Sequence, residues 1–301
     1  MSGEALTLAA IRRQAAKRLA EFFGEEGTPA LDSRLLIAAV LGIEPNRLSL
    51  SDFRTVSPEE VARIDAFLER RIAGEPVARI VGFREFYGLP IGLSPATLVP
   101  RPDTEVLVEA VLAWFDRHGG RERVMRVVDI GTGSGAILLA LASALPGITV
   151  VGVDLSEAAV HTARANAEAL GFADRVHFVC GNWSEALAPA DVIVSNPPYI
   201  ESGVIETLPR EVRDYDPAAA LDGGADGLVA YRAILADLKR MLAPGGAVFL
   251  EIGFDQATTV PALLGEAGFQ TSLHRDLAGW TRVVEAEGPG DSSRRGFLGR
   301  L

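Results

Sequence analysis

Five short apolar runs, interleaved with segments of helical periodicity, limit what this chain can fold into more than anything else in it. The runs lie near 127–130, 149–153, 176–179, 191–195 and 247–252. The fourth, Asp191 to Ser195, is a compact run with two valines and an isoleucine and reads as a strand covered on both faces. Helical spacing recurs near 136–144, 157–170, 228–242 and 258–267. The alternation implies an α/β fold built on a mostly parallel sheet wound on both faces. Two more β segments, near 270–274 and 281–285, close it with a hairpin.

Ahead of this block the pattern is different. From Thr7 to Gly74 apolar residues recur at helical spacing: Leu8, Ile11, Ala15 and Leu19, then Leu35, Leu36, Ala39 and Val40. Thr28-Pro29 and Asp32 mark a helix start and Gly42 a stop, while Ser57-Pro58-Glu59-Glu60 reads as a capped helix opening. Residues 1–74 are therefore expected to form a small helical domain, and 75–100 a connector in which 79–83 and 86–89 pair as a hairpin. Asp103 or Thr104 is expected to cap the helix that opens the second domain, 101–287. The tail 288–301, rich in Gly, Ser and Arg, is expected to be disordered.

Composition removes several function classes. With 48% hydrophobic and 23% charged residues in 301, the balance is that of a globular domain pair. A formal net charge of -11 argues against stable binding to a nucleic-acid backbone. No apolar run approaches bilayer length, and a cytoplasmic, monomeric protein is expected. The one cysteine, Cys180, follows an apolar run and is expected to be a buried thiol. His118, His161, His177 and His274 show no metal-ligand spacing, so no metal site is expected.

Chemistry is signalled at the ends of the strands. The fourth run leads into Asn196-Pro197-Pro198-Tyr199, where neither proline can donate to a ladder and the chain must leave the sheet. Asn196 offers a side-chain carbonyl, Pro197 a main-chain carbonyl and Tyr199 a flat ring. Two acceptors beside an aromatic plate suit a planar group carrying an NH2. After the first run comes Gly131-Thr132-Gly133-Ser134-Gly135-Ala136, a loop whose glycines let the backbone approach a ligand closely. Asp154 closes the second run at the offset of an acid that grips ribose hydroxyls. The loop itself is compatible with NAD or FAD and equally with S-adenosylmethionine. Asn182-Trp183, after the third run, supplies an acceptor and an indole at the position where seven-stranded methyltransferases hold adenine.

Taken together, these residues resemble the release-factor glutamine methyltransferases, the PrmC/HemK family. The likeness runs from about Arg70 to Val284. It is dense in Arg70-Arg71-Ile72-Ala73-Gly74-Glu75-Pro76 with Gly82-Phe83-Arg84-Glu85-Phe86-Tyr87, in the stretch from Ser94 to Glu105, and in Ser195 to Ile200. What the resemblance implies is a Rossmann-like seven-stranded methyltransferase sheet with an N-terminal helical domain that docks the substrate. It also implies transfer of a methyl from S-adenosylmethionine to the side-chain amide of the glutamine in the Gly-Gly-Gln tripeptide of class I peptide release factors. Carried over by position, Gly131, Thr132, Gly133, Ser134, Gly135, Asp154 and Trp183 bind the cofactor, with Asn196 beside it. Asn196, Pro197, Pro198 and Tyr199 hold the target, and catalysis falls to Asn196, Pro197 and Tyr199. Many relatives carry aspartate where this chain has Asn182, and asparagine keeps the acceptor. Arg101 reads either as a contact to the protein substrate or as a structural ion pair. The rivals are an adenine-specific nucleic-acid methyltransferase using the same tetrapeptide, a dinucleotide oxidoreductase, and a non-catalytic binding protein.

Overall fold

The computed structural model describes residues 7–24, 27–183, 185 and 187–288. The chain divides into two compact units: residues up to Phe83 with Pro209–Tyr215, and Arg84–Leu208 with the residues from Asp216 onward.

In the first unit, α1 (Leu8–Phe23) opens where the Thr7 hydroxyl accepts from Ala10 N at 3.3 Å, and it buries the stripe Leu8, Ile11, Ala15 and Leu19. Helix α2 (Pro29–Leu41) ends on Gly42, which is left-handed at φ 64. Its buried face is rotated from the expected stripe, taking in Ile37 and Ala38 and leaving Ala39 exposed. The reason is Asp32, which is turned inward to accept from the Thr28 hydroxyl (2.7 Å) and Arg71 Nε (2.8 Å). Helix α3 (Pro58–Ile72) has a reciprocal capping box between Ser57 and Glu60 and buries Ile64 and Leu68. Arg70 grips Glu75 with two nitrogens, at 2.7 and 2.5 Å, and the Arg71 guanidinium lies 4.3 Å from the Phe23 ring centroid. The paired arginines of the sequence motif thus hold the helices of this unit together.

The short helix α4 (Val77–Val81) corrects the expected hairpin. Pro76 starts a helix there and Gly82, at φ 86, ends it, so 79–81 are helical and pairing begins at Phe83. The hairpin is β1 (Phe83–Phe86) with β2 (Leu89–Gly92). Its turn is Tyr87-Gly88, with φ 51 and 74, both in the left-handed region that matches strand twist.

The second unit continues with α5 (Glu105–Arg117), β3 (Met125–Ile130), α6 (Ala136–Ala144), β4 (Ile148–Asp154), α7 (Glu157–Ala169), β5 (Val176–Cys180) and β6 (Ala190–Ser195). After α8 (Arg210–Arg213), which belongs to the first unit, come α9 (Val229–Met241), β7 (Leu242–Glu251), α10 (Thr259–Glu266), β8 (Gln270–Arg275) and β9 (Thr281–Glu287). The seven strands lie in the order β5-β4-β3-β6-β7-β9-β8. The first five are parallel, and β9 runs antiparallel to both β7 and β8.

Side-chain parity sorts the two cores. Val127, Val150, Val192, Val194 and Phe249 pack against α5, α6 and α7. Val128, Ile130, Ile193, Val248 and Leu250 pack against α9 and α10. Each fully buried aliphatic of this kind contributes roughly 1.5–3 kcal/mol, which explains why the apolar runs were so continuous. The chain order reverses between β3 and β6, which are spatial neighbours but not sequence neighbours. Their carboxyl ends flank the crevice in which such sheets bind ligands.

Cys180 corrects another expectation: it is exposed, because it closes the edge strand β5 at the carboxyl rim. Of the expected disordered tail, only Gly288 lies within the described residues. Among those residues no helix is long and apolar enough to cross a membrane.

Candidate active site

The glycine loop leaves β3 and is held by its neighbour β4. Gly131 N and Thr132 N both donate to the Val153 carbonyl, at 2.9 and 3.0 Å, and Gly133 N donates to Asp154 Oδ2 at 2.8 Å. Gly131, Gly133 and Gly135 have φ of 79, 55 and 81, which only glycine adopts without strain. A β-carbon on Gly135 would also come within 2.9 Å of the Phe178 ring. Behind the loop, Asn166 of α7 donates to the Ser134 carbonyl (2.9 Å) and exchanges two bonds with the backbone of Gly92, anchoring loop and hairpin together. Asp154 thus fastens the loop through one oxygen while the other accepts from Ser156 N at 2.9 Å. Asn182 is exposed and donates to Glu185 Oε1 at 2.8 Å, and among the described residues no donor reaches its side-chain oxygen. Trp183, left-handed at φ 48, is half-buried against the second core.

At the other side of the crevice the Asn196 turn begins. Ser195 Oγ donates to the Ile130 carbonyl at 2.5 Å, pinning the end of β6 to the end of β3. Asn196 Nδ2 donates to Thr104 Oγ1 at 3.2 Å. Among the described residues no donor reaches Asn196 Oδ1 or the Pro197 carbonyl. Tyr199 packs half-buried against the second core, and burial followed by the nearby Glu251 charge pushes its phenol up to about 12. Its carbonyl accepts from Gln256 Nε2 at 3.3 Å. The turn rests on a glycine cradle: a β-carbon would lie 2.9 Å from the Pro198 carbonyl at Gly223 and 2.5 Å from the Tyr199 carbonyl at Gly227.

The expected cap of α5 is absent. Residues 102–104 enter the helix as a 3-10 turn, and neither Asp103 nor Thr104 caps with its side chain. Both are committed elsewhere, Thr104 to Asn196 and Asp103 to Arg282 at 2.7 Å. Arg101 pairs with the buried carboxylate of Asp216 at 2.6 Å.

Two buried acids close strands at this rim. Asp129, in β3, is fully buried, and no described donor satisfies either oxygen. Burial, with a smaller push from the Asp154 charge, raises it to about 7. Glu251, in β7, is 2% exposed and is likewise raised to about 7 by burial and the Asp103 charge, with Thr104, Arg282 and Asn196 pulling the other way. From the sequence Asp129 is read only as the acid that precedes the glycine loop, and Glu251 is not singled out. Their signal was a carboxylate inside an otherwise apolar run, Val-Val-Asp-Ile and Val-Phe-Leu-Glu-Ile.

These features fit S-adenosylmethionine. An unpaired buried anion beside a glycine loop suits a ligand that brings positive charge, which that cofactor does at its sulfonium and amino groups. The left-handed glycines leave open space where β-carbons would stand at Gly131 and Gly133. Five parallel strands closed by an antiparallel pair, with glycine loop, acid and Asn-Pro-Pro-Tyr turn on one rim, define a Rossmann-like methyltransferase that uses S-adenosylmethionine.

Comparison with known proteins narrows the class. Residues 10–82 match the family described as PrmC N-terminal domain, and residues 121–260 match the one described as Methyltransferase domain. The chain is 50% identical to the release factor glutamine methyltransferase of Bradyrhizobium diazoefficiens, covering 91% of this chain and 93% of that one. It is 42% identical to that of Bordetella pertussis, covering 88% and 97%. The hMettl16 catalytic domain, solved in complex with MAT2A 3'UTR hairpin 6, shares the fold at a TM-score of 0.53 and 18% identity, over 78% of this chain and 84% of that one. The chain belongs to the release factor glutamine methyltransferase family.

Proposed function

We propose that this chain methylates the side-chain amide nitrogen of the glutamine in the Gly-Gly-Gln tripeptide of class I peptide release factors, acting as a cytoplasmic monomer. The observation that carries this reading is the orientation of Asn196. Its nitrogen is turned to Thr104, and among the described residues no donor reaches its oxygen or the carbonyl of Pro197. Two acceptors side by side match the two hydrogens of a primary amide.

An amide nitrogen is a weak nucleophile because its lone pair is delocalised into the carbonyl. S-adenosylmethionine, when bound, supplies the electrophile, a methyl carried on a sulfonium. The chain's own task is placement. Asn196 Oδ1 and the Pro197 carbonyl accept the two amide hydrogens and stabilise positive charge growing on the nitrogen. Tyr199 packs on the amide plane, while the cradle of Gly223 and Gly227 fixes where the turn sits. Positioning of this kind is worth roughly 7–11 kcal/mol relative to encounter in solution. The proton leaves after the methyl has arrived, so no strong general base is required.

For the cofactor, Gly131, Thr132, Gly133, Ser134 and Gly135 form the loop that it lies along, Asp154 takes the ribose hydroxyls, and Trp183 packs on the adenine with the Asn182 oxygen accepting from its amine. The helical unit docks the release factor, since a lone glutamine offers little to recognise. Asn196→Ala tests the reading: turnover should fall at least 100-fold while cofactor affinity stays within about twofold. Wild-type turnover in that variant would remove the acceptor pair from the mechanism.

A further inference from the structure

Two prolines make the target turn stiff. Pro197 and Pro198 each have φ locked at about -65°, and Pro197, standing before a proline, is also held out of the helical region. The stretch from Asn196 to Tyr199 therefore has few free torsions and moves much as a bar. Its first end is pinned where Ser195 Oγ reaches the Ile130 carbonyl and Asn196 Nδ2 reaches Thr104. The aim of the Pro197 carbonyl, between the ends, then depends on where Tyr199 is held.

Gln256 holds it. This side chain stands between β7 and α10, is 7% exposed, and uses every hydrogen-bonding position of its amide. Nε2 donates to the carbonyls of Tyr199 (3.3 Å) and Gly227 (3.1 Å). Oε1 accepts from Gly253 N (3.0 Å) and from the Tyr231 hydroxyl (3.1 Å). Two hydrogens given and two accepted are the full capacity of a primary amide. The usual ambiguity between nitrogen and oxygen does not arise. A main-chain N–H only donates, so the atom facing Gly253 is the oxygen; main-chain carbonyls only accept, so the atom facing Tyr199 and Gly227 is the nitrogen. The backbone of Gln256 is fixed as well, its N donating to the Gly253 carbonyl at 3.0 Å and its carbonyl accepting from Val260 N at 3.2 Å. Gly227 belongs to the same arrangement: a β-carbon there would lie 2.5 Å from the Tyr199 carbonyl and 2.9 Å from Gln256 Nε2. Beyond the turn, Ile200 N donates to the Leu221 carbonyl and the Ile200 carbonyl accepts from Gly223 N, bonds in which residue 256 has no part.

We propose that Gln256 is a positioning residue for methyl transfer: by fixing the Tyr199 carbonyl it sets the tilt of the Asn196–Tyr199 turn, and so the direction in which the Pro197 carbonyl meets the target amide. This rests on the reading that Asn196 Oδ1 and the Pro197 carbonyl accept from that amide. The two halves of the Gln256 amide do different work. The nitrogen acts on the turn, while the oxygen anchors the clamp to Gly253 and to Tyr231 of α9. Without the Tyr231 hydroxyl, the Gly253 bond still keeps the oxygen in place.

The experiment separates the two halves. It measures kcat, KM for a release factor and calorimetric cofactor affinity in wild type, Gln256→Glu, Gln256→Met, Tyr231→Phe and Asn196→Ala. Gln256→Glu keeps the shape and the acceptor facing Gly253, but sets an oxygen against two carbonyls and pushes the turn away. Its kcat should fall roughly 10- to 100-fold, as a displacement of about 1 Å would cause, with cofactor affinity within about twofold. Gln256→Met, which removes both donors, should lose kcat in the same way. Tyr231→Phe takes a bond from the oxygen side alone and should keep kcat within about threefold of wild type. Should Gln256→Glu fail to fold, Gln256→Met carries the test in its place. Wild-type kcat in a folded Gln256 variant, an equal fall in Tyr231→Phe, or a loss of cofactor affinity in step with kcat overturns the proposal while leaving the acceptor reading standing. Wild-type kcat in Asn196→Ala overturns the acceptor reading itself.

Discussion

Replacing Asp129 by asparagine should stabilise the cofactor-free protein, and should do so more at high pH than at low. The carboxyl ionises near 7 in the folded protein against an ordinary 3.8, because both oxygens are buried without a donor. That difference of about 3 pH units, at roughly 1.4 kcal/mol each, makes the charged form about 4 kcal/mol less stable in the fold than in the unfolded chain. Between the two values the folded state holds a proton that the unfolded state has lost, so stability falls as pH rises from about 4 through about 7. Asparagine removes this dependence. From about pH 5 to pH 8 the variant's advantage should widen by roughly 2–3 kcal/mol, worked from the same two values. Glu251 titrates over a similar range but is present in both proteins, so it cancels. The assay is urea unfolding followed by tryptophan fluorescence, since Trp114, Trp183 and Trp280 all lie in the second unit and report on it alone. An advantage that is equal at the two pH values, or that shrinks as pH rises, would refute the claim of an unpaired buried anion. The same substitution should weaken cofactor binding, because the site then lacks the charge that a cation would answer.

Other consequences follow from the same rim. Asp154→Ala should weaken S-adenosylmethionine binding tenfold or more in equilibrium titration, since it removes the bond that fastens Gly133 and, on the proposed reading, the ribose acceptor. Gly227→Ala places a β-carbon 2.5 Å from the Tyr199 carbonyl at a φ of 68. It should cost roughly 1–2 kcal/mol in thermal unfolding and lower kcat by tenfold or more through displacement of the turn, with cofactor affinity little changed.

The strand and helix pattern of the second unit could be read because burial on both faces leaves long, unbroken apolar runs. Helix α6 matches its expected bounds, and the strands differ by a few residues at their ends. The hairpin could not be placed, since Ile80, Val81 and Phe83 are equally apolar in a strand and in a five-residue helix too short to show a period. Its decisive residue, Tyr87, is left-handed, and nothing in a tyrosine announces that. The exposure of Cys180 depends on β5 lying at the sheet edge, a property of strand order rather than of the run itself.

In the site, the glycine loop and the Asn-Pro-Pro-Tyr turn were visible because their chemistry needs unusual residues in one place. Thr104 and the pair Gly223 and Gly227 were not, because they act across contacts distant in sequence: Thr104 meets Asn196 across 92 positions. A threonine before a helix reads locally as a cap, and only the fold shows that its hydroxyl is used elsewhere. Asp129 and Glu251 lay between these cases, marked by polarity in an apolar strand but without anything to say what each acid faces.

The most direct test of the account is to incubate a class I release factor with this protein and methyl-labelled S-adenosylmethionine, then map the label by fragmentation mass spectrometry. The account predicts one methyl on the side-chain nitrogen of the Gly-Gly-Gln glutamine, absent when Asn196→Ala replaces the wild type. A label on any other residue, or transfer to nucleic acid in place of the release factor, would contradict it.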